Sequence, residues 1–186
     1  MKKILFFTVV VALLVILDLS VGTKEERLTT QQIENLREIY PVYGDINKIS
    51  PLIEVAQVET TLEEVSKKAY TFVYGEIIDE VPVHSIYSYA KFYGYRVRVF
   101  KDSKKNFASG DEITIIANTE FRGYNPSLSN GMKVVLPVGE NKGRYYFDAF
   151  IYYVTDDGFV LSAFDESKHL DKEYSGIKVE KLLEEI

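Results

Sequence analysis

Paired carboxylates, and a tyrosine set close to two arginines, are the residues of this chain whose types and spacing suit chemistry. Asp111 and Glu112, and Asp156 and Asp157, are adjacent acids of the sort used in general acid/base catalysis. Glu76 stands in an apolar run beside Gly75. Both pairs sit beside turn signals, so solvated turn carboxylates are the plainer reading. Other catalytic routes have less to work with. The chain has no Cys and only two His, His84 and His169. That excludes thiolate nucleophiles, disulfides and Cys-based metal sites, and it leaves too few ligands for a zinc site of three or four donors. No Gly-x-Ser-x-Gly elbow and no glycine-rich phosphate loop is present. We expect no metal, no cofactor and no enzyme activity, with a carboxylate-based extracellular hydrolase as the remaining enzyme reading.

Binding has better candidates. A bulge at Gly94 would turn Tyr93 outward, onto the face that carries Arg96 and Arg98. A ring beside two guanidinium groups suits an anionic or sugar ligand, because rings stack on flat apolar faces and Arg grips carboxylate or phosphate bidentately. The alternative is that Arg96 and Arg98 pair with acids on adjacent strands, such as Glu112. Tyr87, Tyr89, Tyr145, Tyr146, Tyr152 and Tyr153 either present further rings on an outer face or pack into the core.

These residues need a sheet to position them, and Tyr70 to Ala117 supplies three strands of a small curled one. Residues 71–79 form the first strand, with Gly75 marking a bulge or tight bend. Residues 80–85 are expected as a loop. In the second strand, 86–100, Tyr95, Val97 and Val99 point one way and Arg96 and Arg98 the other. Ile113, Ile115 and Ala117 line the inner face of the third. Residues 132–138 make a fourth strand, and the Asn141-Lys142-Gly143 turn leads into 144–155, apolar on both faces. Asp156-Asp157-Gly158 signals a hairpin into 159–164. Thr29 and Gln32 have capping-box spacing ahead of a stripe of Ile33, Leu36 and Tyr40, and Thr61 and Glu64 have it ahead of a second short helix. A short helix over 176–186 closes the chain.

Composition adds limits. The 186 residues suit one domain with a core, and a formal net charge of −6 argues against a nucleic-acid partner, whose phosphates call for clustered Lys and Arg. Lys2 and Lys3 precede fourteen residues, Ile4 to Leu17, relieved only by Thr8. As a helix they rise about 21 Å against a hydrocarbon core of roughly 30 Å, which suits a signal segment better than a comfortable span. Ser20 and Gly22 offer small residues before a cut at Thr23. Residues 1–22 are therefore a signal peptide, or else an anchor that keeps 4–17 in the membrane.

The order of pieces is itself informative. A Thr-Leu-Glu-Glu-Val helix leads into an apolar strand bearing Gly-Glu (61–78). Tyr-Arg-Val-Arg-Val is followed by Gly-Asp-Glu-Ile-Thr-Ile (95–115). Then come Asn-Gly-Met-Lys-Val-Val-Leu (130–136), a Tyr-rich strand and a terminal helix. Over 60–186 this resembles uncharacterised exported proteins of Gram-positive bacteria, whose domain is similar to the OB-like barrel of tissue inhibitors of metalloproteinases. The resemblance implies a mainly β fold with flanking short helices, an OB-like β-barrel over 61–186 behind a helix and irregular arm at 23–60. It implies an extracytoplasmic location but no activity. The animal inhibitors grip zinc through an amino-terminal cysteine, and this chain has none. The expected function is an exported binding or protein-interaction module with a protein or polysaccharide partner at the cell surface. A membrane-tethered regulatory or inhibitor-like domain is the alternative.

Export is directly testable. A reporter fused after Gly22 should appear outside the cytoplasm, and replacing Leu13 and Leu14 by Arg should retain it inside. An unchanged distribution for that variant contradicts the export reading.

Overall fold

β-Branched and aromatic residues alternate through the centre of the chain and make three antiparallel strands: β1 (Thr71–Val83), β2 (Phe92–Asp102) and β3 (Glu112–Asn118). The computed structural model describes residues 26–42, 62–83, 92–118, 128–147, 151–163 and 174–186. The apolar run 4–17, most of the irregular arm, His84, Tyr87, Tyr89 and His169 lie outside the described residues. β4 (Lys133–Asn141) pairs with the first half of β1 and, through a turn with left-handed Lys142 (φ 54°) and Gly143 (φ 75°), with β5 (Arg144–Phe147). β5 then lies parallel to β3, with Ile115 opposite Tyr145 and Ile116 opposite Tyr146. That pairing closes a five-stranded barrel in the order β1-β2-β3-β5-β4, with β4 returning to β1.

β1 must serve two neighbours, and it does so by bending at Gly75. A Cβ there would lie 2.5 Å from the Arg98 carbonyl oxygen and 2.7 Å from a Val97 methyl, so only glycine lets β2 come this close. The β1–β2 register steps twice. Phe100 is an extra residue on β2 opposite Tyr74 and Gly75, and Ile78 is an extra residue on β1 between Ile77 and Asp79. Each bulge sharpens the local twist. Inside, Val73, Ile77, Val97, Val99, Ile115 and Leu136 are almost fully buried. A void inside the barrel, beside Tyr93, Tyr95 and Phe147, measures about 10 Å³, room for a single water at most.

A second apolar cluster lies outside the barrel. β6 (Tyr152–Val154) continues along β4 and pairs with β7 (Val160–Ser162). Helices α2 (Leu62–Lys68) and α3 (Val179–Glu185) bury Leu62, Val65, Leu182 and Leu183 against Phe72, Val135 and Tyr152. Helix α1 (Thr30–Leu36), with its capping box from Thr29 and Gln32 formed, lays Ile33, Leu36 and Tyr40 against the barrel cluster. The turn after β2 ties these layers together. The buried Asp102 carboxylate accepts hydrogen bonds from the backbone N–H of Lys104 (2.8 Å), Asn106 (2.6 Å) and Phe107 (2.8 Å), and from the Thr71 hydroxyl. The Lys104 ammonium donates to the carbonyls of Ser66 and Ala69 at the end of α2.

The mainly β expectation is met by the closed barrel and its few short helices, and the in/out alternation of β3 and of β2 from Tyr95 to Val99 is as read. Three local expectations are corrected. Residues 80–83 are strand rather than loop, because β1 runs on to Val83 opposite Phe92. The single strand expected over 144–155 is β5 and β6 on one edge of β4, with the register stepped by two residues between them. Gly94 carries no bulge, since β2–β3 pairing runs through it unbroken.

The bend at β1 has a measurable cost if filled. Gly75→Ala should destabilise by about 2–3 kcal/mol, because the added methyl meets backbone. Gly139→Ala on β4, whose nearest contact would be 3.8 Å away, should stay within about 0.5 kcal/mol of the parent. Urea midpoints measure both; equal shifts would contradict the close β1–β2 approach.

Candidate outer-face groove of the barrel

Tyr93, Arg96 and Arg98 do not meet on one face. With no bulge at Gly94, the alternation Tyr93, Tyr95, Val97, Val99 points inward, and Tyr93 is 4% exposed, edge-on to Tyr95 at 5.4 Å. The ring is part of the core, which corrects the expected platform. Gly94 is glycine for another reason. It faces outward, and a Cβ would sit 2.9 Å from methyl groups of Thr114 and Val83 and 3.3 Å from one of Val81. Side chains from the paired end of β1 and from Thr114 on β3 thus fill the space above Gly94.

Arg96 and Arg98 do face outward, but both are engaged. Arg96 donates to Asp79 through Nε (3.1 Å) and Nη2 (2.7 Å) and lies 3.9 Å from Glu112. Arg98 lies 3.5 Å from Glu76 and 3.5 Å from Glu112. The Asp79 hydrogen bonds, then its charge, hold the Arg96 guanidinium above its ordinary pKa. Three acids face two arginines in this ladder, so an incoming anion meets an excess of negative charge. Glu76 and Glu112 thereby acquire ion-pair roles. Of the other paired acids, Asp111 accepts from the Ala108 N–H at 2.8 Å in the turn before β3, and Asp156 pairs with Lys133 at 2.9 Å. Among the described residues no cluster of His, Cys, Asp or Glu could hold a metal ion, and no helix is long and apolar enough to cross a membrane.

Beside the ladder lies a concavity of about 520 Å³, within the range of ligand pockets. Val81, Pro82 and Val83 form one wall and Gly143, Arg144 and Tyr145 another, with Glu112, Ile113, Thr114 and Ile116 between them. The extra residue at Ile78 is what makes the first wall. It shifts the parity of β1 so that Asp79, Val81 and Val83 project outward. Tyr145 is fixed by edge-on packing against Phe107 at 4.9 Å. Sequence reasoning missed this groove because it took residues 80–85 as a loop. The alternation of Val81 and Val83 about a proline, a pattern that edge strands tolerate, was the available signal. Tyr152 and Tyr153, expected either as surface rings or as core, are buried in the two apolar clusters. Comparison with protein-family models, with curated proteins and with solved structures finds no match for this chain.

Proposed function

We propose that this chain is an exported, non-enzymatic binding module of OB type whose partner, a protein segment at the cell surface, lies in the outer groove. The observation that carries this reading is the groove of about 520 Å³ between the end of β1, β3 and the β4–β5 turn. OB folds are five-stranded Greek-key barrels that bind ligands across strands 2 and 3 and beside the loops joining strands 1 to 2 and 4 to 5. The bent β1 shared between β2 and β4, and the position of the groove, support that assignment. The resemblance to exported Gram-positive proteins agrees with it. The lining supports a peptide over a nucleic acid, since apolar walls alternate with one acid and one arginine and the chain is acidic overall. Residues 1–22 deliver the domain across the membrane. If they are retained, the same groove serves a membrane-tethered regulator.

The test is binding of the full-length chain to a peptide array and a glycan array. Peptides should be retained, and Thr114→Arg, which places a long cation on an exposed groove position, should reduce retention at least tenfold without changing the thermal midpoint by more than a few degrees. Glycan binding alone, or peptide binding indifferent to Thr114→Arg, contradicts the proposal.

A further inference from the structure

The groove has two features that its apolar walls do not explain. On one side β3 pairs with β2 from Glu112 to Asn118, but on the other, among the described residues, β5 covers only Ile115 and Ile116. Glu112, Ile113 and Thr114 therefore present a strand edge to the groove. Ile113 lines it although its side chain is packed inside the barrel and only 8% exposed, so its backbone is what faces the space. The second feature is Arg144, exposed at the start of β5. Among the described residues it has no hydrogen bond or ion pair, whereas Arg96 and Arg98 are both held by acids. An open strand edge is a template for an added strand, and an unengaged guanidinium matches a carboxylate bidentately.

We infer that the groove takes the last residues of an extended peptide, which add to the β3 edge and place a free C-terminal carboxylate on Arg144. The inference rests on the groove being the binding site. Chain direction follows from register. Ile115 is opposite Tyr145, so Arg144 lies alongside Thr114, and a strand in line with β5 fills the space ahead of it. A peptide running parallel to β3 ends at Arg144. The reverse direction brings its carboxylate to Glu112, beside the ladder with excess acid, and is repelled. Val81 and Val83 then receive an apolar side chain near the peptide end.

The experiment uses the full-length chain and one pool of N-acetylated pentapeptides synthesised twice, as free acids and as C-terminal amides. The acids should bind at least tenfold more tightly, and Arg144→Gln should remove the difference, whereas Lys101→Gln, the same charge change at an exposed site on β2, should preserve it. Equal binding of acids and amides overturns the end-capture inference while leaving the groove reading intact, provided that Thr114→Arg still weakens both. An acid preference that survives Arg144→Gln also overturns it. So does a complete lack of binding by either pool.

Discussion

The close passage of Gly75 past the Arg98 carbonyl is the constraint on which the rest of this structure depends. Because no side chain separates the two strands there, β1 can bend enough to pair with β4 over its first half and with β2 along nearly its whole length. Without the bend those two pairings belong to an open sheet, and β5 has no reason to lie parallel to β3. With it, the sheet closes and side chains fill the interior, as they do in small barrels. Among the described residues the void beside Tyr93, Tyr95 and Phe147 has room for a water at most, and the larger concavity lies on the outer face. The extra residue at Ile78 then turns the side chains of Val81 and Val83 outward beside Gly94, where they meet Thr114 of β3.

Charge decides which part of that outer face can do what. The five-residue ladder of Glu76, Asp79, Arg96, Arg98 and Glu112 satisfies itself across three strands. Exposed pairs of this kind contribute little to stability individually. Their effect is to specify register and to neutralise two arginines that would otherwise attract anions. Among the described residues no acid pairs with Arg144, on the far side of the groove: its neighbours at the turn are Lys142 and Gly143, and the turn acid Glu140 accepts from the Gly143 N–H at 2.6 Å.

Much of the barrel was legible in the sequence, and the site was not. Val97, Val99, Ile113 and Ile115 alternate with charged or hydroxyl residues, and a period of two is a local signal that burial confirms. The glycine at 75 was read as a bulge or a tight bend because it sits alone in a strand, and the β1–β2 register steps beside it. The glycine at 94 looks the same, yet it is small to admit Val81, Val83 and Thr114, and a sequence does not distinguish a bulge from a close approach. That ambiguity carried Tyr93 to the wrong face. The bulge at Ile78 changes strand parity without leaving any turn residue behind it. Arg144 enters the groove only through the parallel β3–β5 pairing, a contact between segments about thirty positions apart that local pattern cannot encode.

Closure by that β3–β5 pairing is the claim on which barrel, groove and peptide direction all rest, and the absence of cysteine makes it directly measurable. Ile116 and Tyr146 are strand partners, and adjacent strands lie about 4.8 Å apart, inside the Cα separation that a disulfide tolerates. The full-length chain carrying Ile116→Cys with Tyr146→Cys should form an intramolecular bridge rapidly under mild oxidation when folded, and slowly in urea. A folded protein that leaves both thiols free, or one that bridges no faster than the unfolded chain, would show that the sheet is open.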